Sequence, residues 1–281
     1  MIRCGITGHT GLIGKEIIKY KKKIQFIKFN GDVRSKSDIK KWLLNQKVSS
    51  IIHLAAVVST KLVNNNFKKI KKINYIGTKN LIDVIVEEKI KLDWFFFASS
   101  SHVYKFPNKR ILLDEKSSTK PFSKYGKTKL LAENYIIKKC NSFKIPFCIG
   151  RIFSVLDIKQ SKSFFFPSVL SKIKNSKGNI FFKNLHHSRD FLRVQDIADA
   201  IFHLYEKKCQ GIFNIASGRE LSLITIVNKL CKIFKKKANI KFESKITYAL
   251  ANIKKIKKTG WKPKRKINIT KMLKGIPDLN K

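Results

Sequence analysis

Residues 1–17, MIRCGITGHTGLIGKEI, decide the fold. A β-rich apolar run, MIRCGI, leads into three glycines, Gly8, Gly11 and Gly14, spaced GxxGxxG, and the last of them opens a segment with helical apolar spacing. Small residues at these places allow a tight turn after the strand, close approach of backbone to a pyrophosphate, and close packing of helix on sheet. The helix N-terminus then faces the anion. A glycine triplet also occurs at ordinary strand-to-helix turns. Its position at residue 8, inside a βαβ pattern, is what gives it weight.

The rest of the chain continues that pattern. The β-rich runs IQFIKF, SSIIHLAA, LDWFFFAS and PFCIGRIF are separated by stretches with helical apolar spacing. This alternation builds a parallel sheet covered by helices, so the first half reads as doubly wound α/β. A less regular stretch runs from about Ser154 to Ser188. A helix and short strand, DIADAIFHLYEKKCQGIFNIA, then rejoin the sheet, and a basic, turn-rich segment runs to Lys281.

Composition narrows the function classes. With 281 residues, 43% hydrophobic and 11% aromatic, the chain can bury a full core,. No 18-residue apolar run is present and the N-terminus has no signal-peptide pattern, which points to the cytoplasm without membrane insertion,. The cysteines Cys4, Cys140, Cys148, Cys209 and Cys231 form no CxxC pair and are expected as reduced buried thiols,. His53, His102, His186 and His187 have no metal-binding spacing and are expected in solvated or core roles. The formal charge of +43 would attract nucleic acid, acidic lipid or an anionic substrate,. Its lysines are scattered over helices such as KKWLLNQK, NNNFKKIKK and IFKKK, and the expectation is a solvated lysine bias with no specific nucleic-acid partner.

After the glycine loop come, in order, SSIIHLAA, FFFASSSHVY and SKYGKTKLLAE, then KINYIGTKNL, GRIFSV, SRDFLRVQDIADAI, GIFNIASG and TGWKP. With these motifs the chain resembles the extended short-chain dehydrogenase/reductase superfamily, in particular the NAD-dependent epimerase/dehydratase family acting on nucleotide sugars. The resemblance covers almost the whole chain. It implies a Rossmann doubly wound parallel sheet with a smaller C-terminal substrate-binding lobe. Residues 1–153 form the NAD(P)-binding domain, with 190–216 returning to it, and 154–189 and 217–281 form the lobe. Family members often dimerise through a helix pair, which implies a homodimer here.

In SKYGKTK, Tyr125 and Lys129 are four residues apart and share a helix face,. Read by itself, the pair is equally a basic helix surface. The family resemblance makes it catalytic, with Lys129 on the nicotinamide ribose and lowering the pKa of Tyr125 from about 10. Tyr125 then exchanges a proton with the sugar oxygen. Among Ser99, Ser100 and Ser101, the position four before Tyr104 matches the family's Ser/Thr and selects Ser100. Resemblance also places Leu12 and Ile13 at the pyrophosphate turn, Leu54, Ala55 and Ala56 through Val58 along the cofactor, and Asn74 and Phe153 as further contacts. Asp32, in NGDVRS, lies near where an acid would bind the adenosine ribose. GDVR before a helix also matches the loop after the next strand, where an aspartate contacts adenine, and this second assignment, with Val33, is preferred. Lys28 and Asn30 then lie near the 2′-position, and the cofactor is NADP(H) or NAD(H). Arg189 matches an arginine that holds the nucleotide diphosphate, a task suited to a guanidinium. The competing reading is a surface pair with Asp190.

Two departures from the family matter. Dehydratases carry Thr-Asp-Glu where this chain has Ser100, Ser101 and His102, which disfavours dehydration. The family's RxxN appears as Arg151 to Ser154, with Ser154 at the substrate-binding position. The resulting expectation is reduction of a nucleotide-linked 4-keto-6-deoxy sugar, as in the biosynthesis of cell-surface polysaccharides. The alternative is a nucleotide-sugar 4-epimerase that retains NAD. A more distant one is a non-catalytic Rossmann protein that binds RNA or acidic lipid.

Overall fold

Strand β1 (Arg3–Thr7) pairs in parallel with β2 (Gln25–Lys28) on one side and β3 (Ser50–His53) on the other. The computed structural model describes residues 3–22, 24–58, 66–243 and 245–274. The first two residues of MIRCGI, part of NNNFKKIKK and the chain beyond 274 lie outside these. The sheet continues from β3 through β4 (Trp94–Ser100). The remaining strands are β5 (Leu112–Leu113), β6 (Phe147–Ile152), β7 (Ser154–Val155), β8 (Ile180–Lys183), β9 (Ser188–Leu192), β10 (Gly211–Ile215), β11 (Glu220–Ser222), β12 (Ala238–Lys241) and β13 (Tyr248–Ala251). The main sheet has the order β10-β6-β4-β3-β1-β2 and every pairing in it is parallel. This is the doubly wound arrangement expected from the sequence. The chain reverses its direction of travel between β1 and β3, and in such sheets ligands bind beyond the strand ends at that switch point.

The central strand shows why the sequence folds this way. Trp94, Phe95, Phe96 and Phe97 are all fully buried, as a strand covered on both faces requires. Trp94, Phe96 and Ala98 join one core layer, while Phe95 and Phe97 join the opposite one, following the period of two,. Burying each phenylalanine stabilises by about 1.5–3 kcal/mol.

A second sheet has the order β11-β9-β13-β5, with β7 on β9. It draws on distant parts of the chain: residues 190–192 belong to it through β9, while Ile253, Ile256 and Trp261 pack into the core of the main sheet. The lobe has its own core, in which Phe166, Ile173 and Leu185 meet Ile226, Leu230 and Met272. No helix among the described residues is long and apolar enough to cross a membrane.

Candidate functional site

The glycine loop follows β1 at the switch point. Gly8 has φ +68°, and a Cβ there would lie 2.7 Å from the Ala55 amide nitrogen; at Gly14 it would lie 2.5 Å from the Gly8 carbonyl. Both positions therefore demand glycine. Leu12 and Ile13 form the first turn of the helix Leu12–Ile17. Beside the loop is a cavity of about 560 Å³ lined by Gly8, His9, Thr10, Phe29, Asn30, Gly31, Asp32, Val33, Arg34, Ala55 and Ile73. Its opposite wall follows β3, where the Thr7 hydroxyl accepts from the amides of Leu54 and Ala55 at 3.2 and 3.1 Å. His53 fixes that wall from below. The Thr78 hydroxyl donates to the Asn74 carbonyl, so it accepts from His53 Nε2–H, leaving Nδ1 to accept from Thr7 at 2.7 Å,. Burial pushes the His53 pKa down to about 3, so the ring stays neutral.

The main sheet ends at β2, so a single strand separates the glycine-loop helix from GDVR. The two places weighed for Asp32, the ribose end of one strand and the adenine loop of the next, merge into one loop. Arg34 also borders this cavity and grips Asp32 through Nε and Nη2, holding its carboxyl below the usual range. Lys28 lines a neighbouring outer groove with Lys41 and Trp42, and Asn30 borders both spaces.

Asn74 sits in a π-helical turn, Lys72–Ile76, a local widening often found at functional sites. Its side chain accepts from the Val57 amide at 2.8 Å and donates to the Val57 carbonyl at 2.9 Å and to Thr128 Oγ1 at 3.2 Å. It thereby clamps the 54–58 segment, which includes Ala56 and the half-exposed Val58, to the helix Lys124–Ser142.

That helix begins at Ser123, whose hydroxyl accepts from the Gly126 amide at 3.0 Å. A Cβ at Gly126 would lie 2.1 Å from the His102 carbonyl, so glycine lets the helix start press against the turn that follows β4. This contact brings Tyr125 beside Ser100. Burial pushes the Tyr125 pKa up to about 12, against a smaller downward pull from the Ser100 hydroxyl. The sequence-based expectation was the opposite, a phenol acidified by Lys129. The reason is geometric: Lys129 Nζ donates to the Ala98 carbonyl at 2.8 Å and lies over the Phe97 ring at 4.7 Å. Burial also pushes the Lys129 pKa down to about 7, against the pull of Glu133.

Glu133 continues the face of Tyr125 and Lys129 by one more turn and is fully buried. It receives Arg151 as a fork, Nη2 at 2.7 Å and Nε at 3.1 and 3.2 Å, together with the Ser99 hydroxyl. Arg151 also lies over the Tyr104 ring. The helix and the strands that carry Ser99 and Arg151 are thus locked directly behind the Ser100 turn. The sequence reading passed over Glu133, although the same four-residue spacing that singles out Tyr125 and Lys129 reaches it.

Phe153 is buried in the main core against Tyr104, and Ser154 begins β7 beside Phe191. Asp190 does not pair with Arg189; it accepts from Ser217 and the Gly218 amide, at 2.6–2.8 Å. Arg189 donates instead to the Ser188 and Thr247 carbonyls, both at 2.8 Å, and to Thr247 Oγ1 at 3.0 Å. It also stacks on Phe106, and burial pushes its pKa down to about 10.

With this geometry in place, sequence comparison is decisive. The pattern of the NAD dependent epimerase/dehydratase family matches residues 4–216. The chain belongs to that family. It is a family of NAD(P)-dependent enzymes with the extended short-chain dehydrogenase/reductase fold. Among relatives, the chain is 30% identical over 244 residues to GDP-6-deoxy-D-talose 4-dehydrogenase of Aggregatibacter actinomycetemcomitans, covering 84% of this chain and 81% of that one. It is 29% identical to a putative UDP-glucose 4-epimerase of Methanocaldococcus jannaschii, covering 86% and 79%. Among solved structures, RMD from Pseudomonas aeruginosa complexed with NADPH superimposes with TM-score 0.87 at 22% identity, over 99% of this chain and 98% of that one. The UDP-glucose 4-epimerase of Thermus thermophilus, in complex with NAD, gives 0.85 at 17%, over 98% and 100%. These two likenesses establish the fold.

Proposed function

We propose that this family member reduces the 4-keto group of a nucleotide-diphosphate-linked 6-deoxy sugar, with Tyr125 delivering the proton. The observation that carries this reading is the placement of Tyr125 and Lys129 on the helix Lys124–Ser142, whose start packs on the turn after Ser100, where burial favours the protonated phenol. Reduction of a ketone needs a donor that starts with its proton, whereas the first step of 4-epimerisation removes one from a hydroxyl. Ser100 then orients the carbonyl oxygen, and Lys129 holds the cofactor ribose. The bound NAD(P)H supplies the hydride. The glycine loop, with Leu12, Ile13 and Gly11, takes the pyrophosphate; Asp32 and Val33 take the adenosine end. Leu54, Ala55, Ala56, Asn74 and Phe153 shape the rest of the cofactor side.

On the substrate side, Arg189 supports the reading as a half-buried cation whose side-chain hydrogen bonds, among the described residues, go to carbonyl and hydroxyl oxygens. A diphosphate supplies the opposite charge. Ser154 adds a hydroxyl near the sugar. This reading keeps the division in which 1–153 and 190–216 serve the cofactor while 154–189 and 217–281 serve the substrate. A relative named for dehydrogenation of a 6-deoxy sugar at position 4 supports the choice of reaction.

The test incubates the protein with nucleotide-linked 4-keto-6-deoxy and 4-hydroxy sugars and follows both reduced nicotinamide and product identity. One NAD(P)H consumed per 4-keto sugar reduced is the expected result. Interconversion of 4-hydroxy epimers without net change in NAD(P)H overturns reduction in favour of epimerisation.

A further inference from the structure

An aromatic wall leads from Tyr125 toward Arg189. The His102 ring meets Tyr125 edge-on at 5.7 Å; Phe106 lies 5.6 Å beyond His102, and the Arg189 guanidinium stacks over Phe106 at 5.3 Å. Phe122 closes the wall, 6.3 Å from His102 and 5.7 Å from Phe106, and is 68% exposed. Among the described residues the wall itself is aromatic, with His102 as its polar member. His102 Nδ1 is 3.4 Å from the Ser123 hydroxyl, and burial with the nearby Arg189 charge keeps the imidazole neutral.

We propose that His102, Phe106 and Phe122 form the sugar subsite and select a hexose whose C6 is a methyl group. The inference rests on the reading above, in which Tyr125 meets the reacting oxygen and Arg189 the diphosphate. The sugar lies between those two points, and so does the wall. Aromatic faces pack well against the C–H face of a sugar ring. A C6 methyl buries against them without losing a hydrogen bond, whereas a C6 hydroxymethyl gives up water for a surface with few replacement partners. Discrimination by one such group in an apolar subsite is about 10–200-fold.

The experiment compares matched pairs of nucleotide-linked 6-deoxyhexose and hexose, carried on uridine, guanosine or thymidine diphosphate. It measures Kd by calorimetry with saturating NADP⁺, for the wild type, Phe122→Ala and Phe106→Leu. The expected result is at least a roughly tenfold preference for the 6-deoxy member that falls toward unity in Phe122→Ala, which lets water reach C6, and largely persists in Phe106→Leu, which keeps the surface apolar, while NADP⁺ affinity stays unchanged. Phe122 is exposed enough for its replacement to leave folding intact. Equal binding of both members by the wild type, or a preference untouched by Phe122→Ala, overturns the wall as the selective element and leaves the proposed reaction standing. Failure to bind any member of any pair overturns this inference together with the reading beneath it.

Discussion

Replacing Arg189 with methionine should separate binding from stability. Burial pushes the arginine from its ordinary 12.5 down to about 10, which corresponds to about 3 kcal/mol against the charged form. Its three hydrogen bonds, to two carbonyls and one hydroxyl, return about 0.5–1.5 kcal/mol each. The two contributions nearly cancel, so Arg189→Met should change the stability of the ligand-free protein by no more than about 1 kcal/mol, a shift of about 2–4 °C in Tm. Removing one partner of a buried ion pair instead costs about 3–5 kcal/mol. Affinity should move much further. A forked contact to a diphosphate contains at least two charge-assisted bonds of about 1.5–3 kcal/mol each, and their loss should raise Kd at least ~100-fold. Differential scanning calorimetry and titration with uridine, guanosine and thymidine diphosphates supply the two readings. A large fall in Tm with unchanged Kd would show that Arg189 is a brace between β9 and the 247 segment, and the diphosphate assignment would be wrong.

Tyr125→Phe should lower turnover by roughly 10²-fold or more and leave cofactor affinity nearly unchanged, whereas Lys129→Ala should impair both; a phenylalanine variant with full turnover removes the tyrosine from the chemistry. Lys129 also predicts a pH signature. With a folded pKa near 7 against an ordinary 10.5, the folded protein binds fewer protons than the unfolded chain between those values, so this group adds stability as pH rises from about 7 toward 10.5. Urea unfolding of the wild type and Lys129→Met at pH 7, 8 and 9 should show the wild type gaining relative to the variant, and parallel curves would refute the buried ammonium. Glu133→Gln leaves Arg151 without its partner and should cost about 3–5 kcal/mol; the double variant Glu133→Gln with Arg151→Met should recover much of it, and additive losses in a double-mutant cycle would show that the two side chains act independently.

Much of the fold was legible because its signals are local. The continuous apolar run of β4 and the glycine spacing after β1 each follow from the backbone that they must adopt. The reach of the first helix to Asp32 was harder to read, since a missing strand leaves no residue to notice; only the pairing of β2 with β1, at the sheet edge, shows that two loops have become one. The domain bounds are similarly opaque: β9 and β13 meet across a long separation in sequence, and nothing in SRDFL states that its neighbours in the sheet are ELS and YALA. The electrostatics were least legible. A lysine four residues from a tyrosine reads as its acidifying partner, but whether its charge reaches the phenol depends on where Nζ points and what surrounds it.

Here Nζ points to the Ala98 carbonyl, at the end of the strand that carries Ser100. The Lys129 side chain is therefore anchored to β4 through Ala98 and Glu133 reaches the same strand through Ser99, while Tyr125 lies beside Ser100. Three consecutive residues of one strand meet three residues spaced four apart on one helix. A slip of a single residue in the β4–β6 register would exchange the faces on which Ser99 and Ser100 lie and break these contacts. The fork between Arg151 and Glu133 opposes such a slip, because Arg151 is the register partner of Ser99. Its position explains why a buried ion pair is kept in a core that apolar side chains would fill at lower electrostatic cost. It fixes the strand positions from which Ser100 and Tyr125 meet.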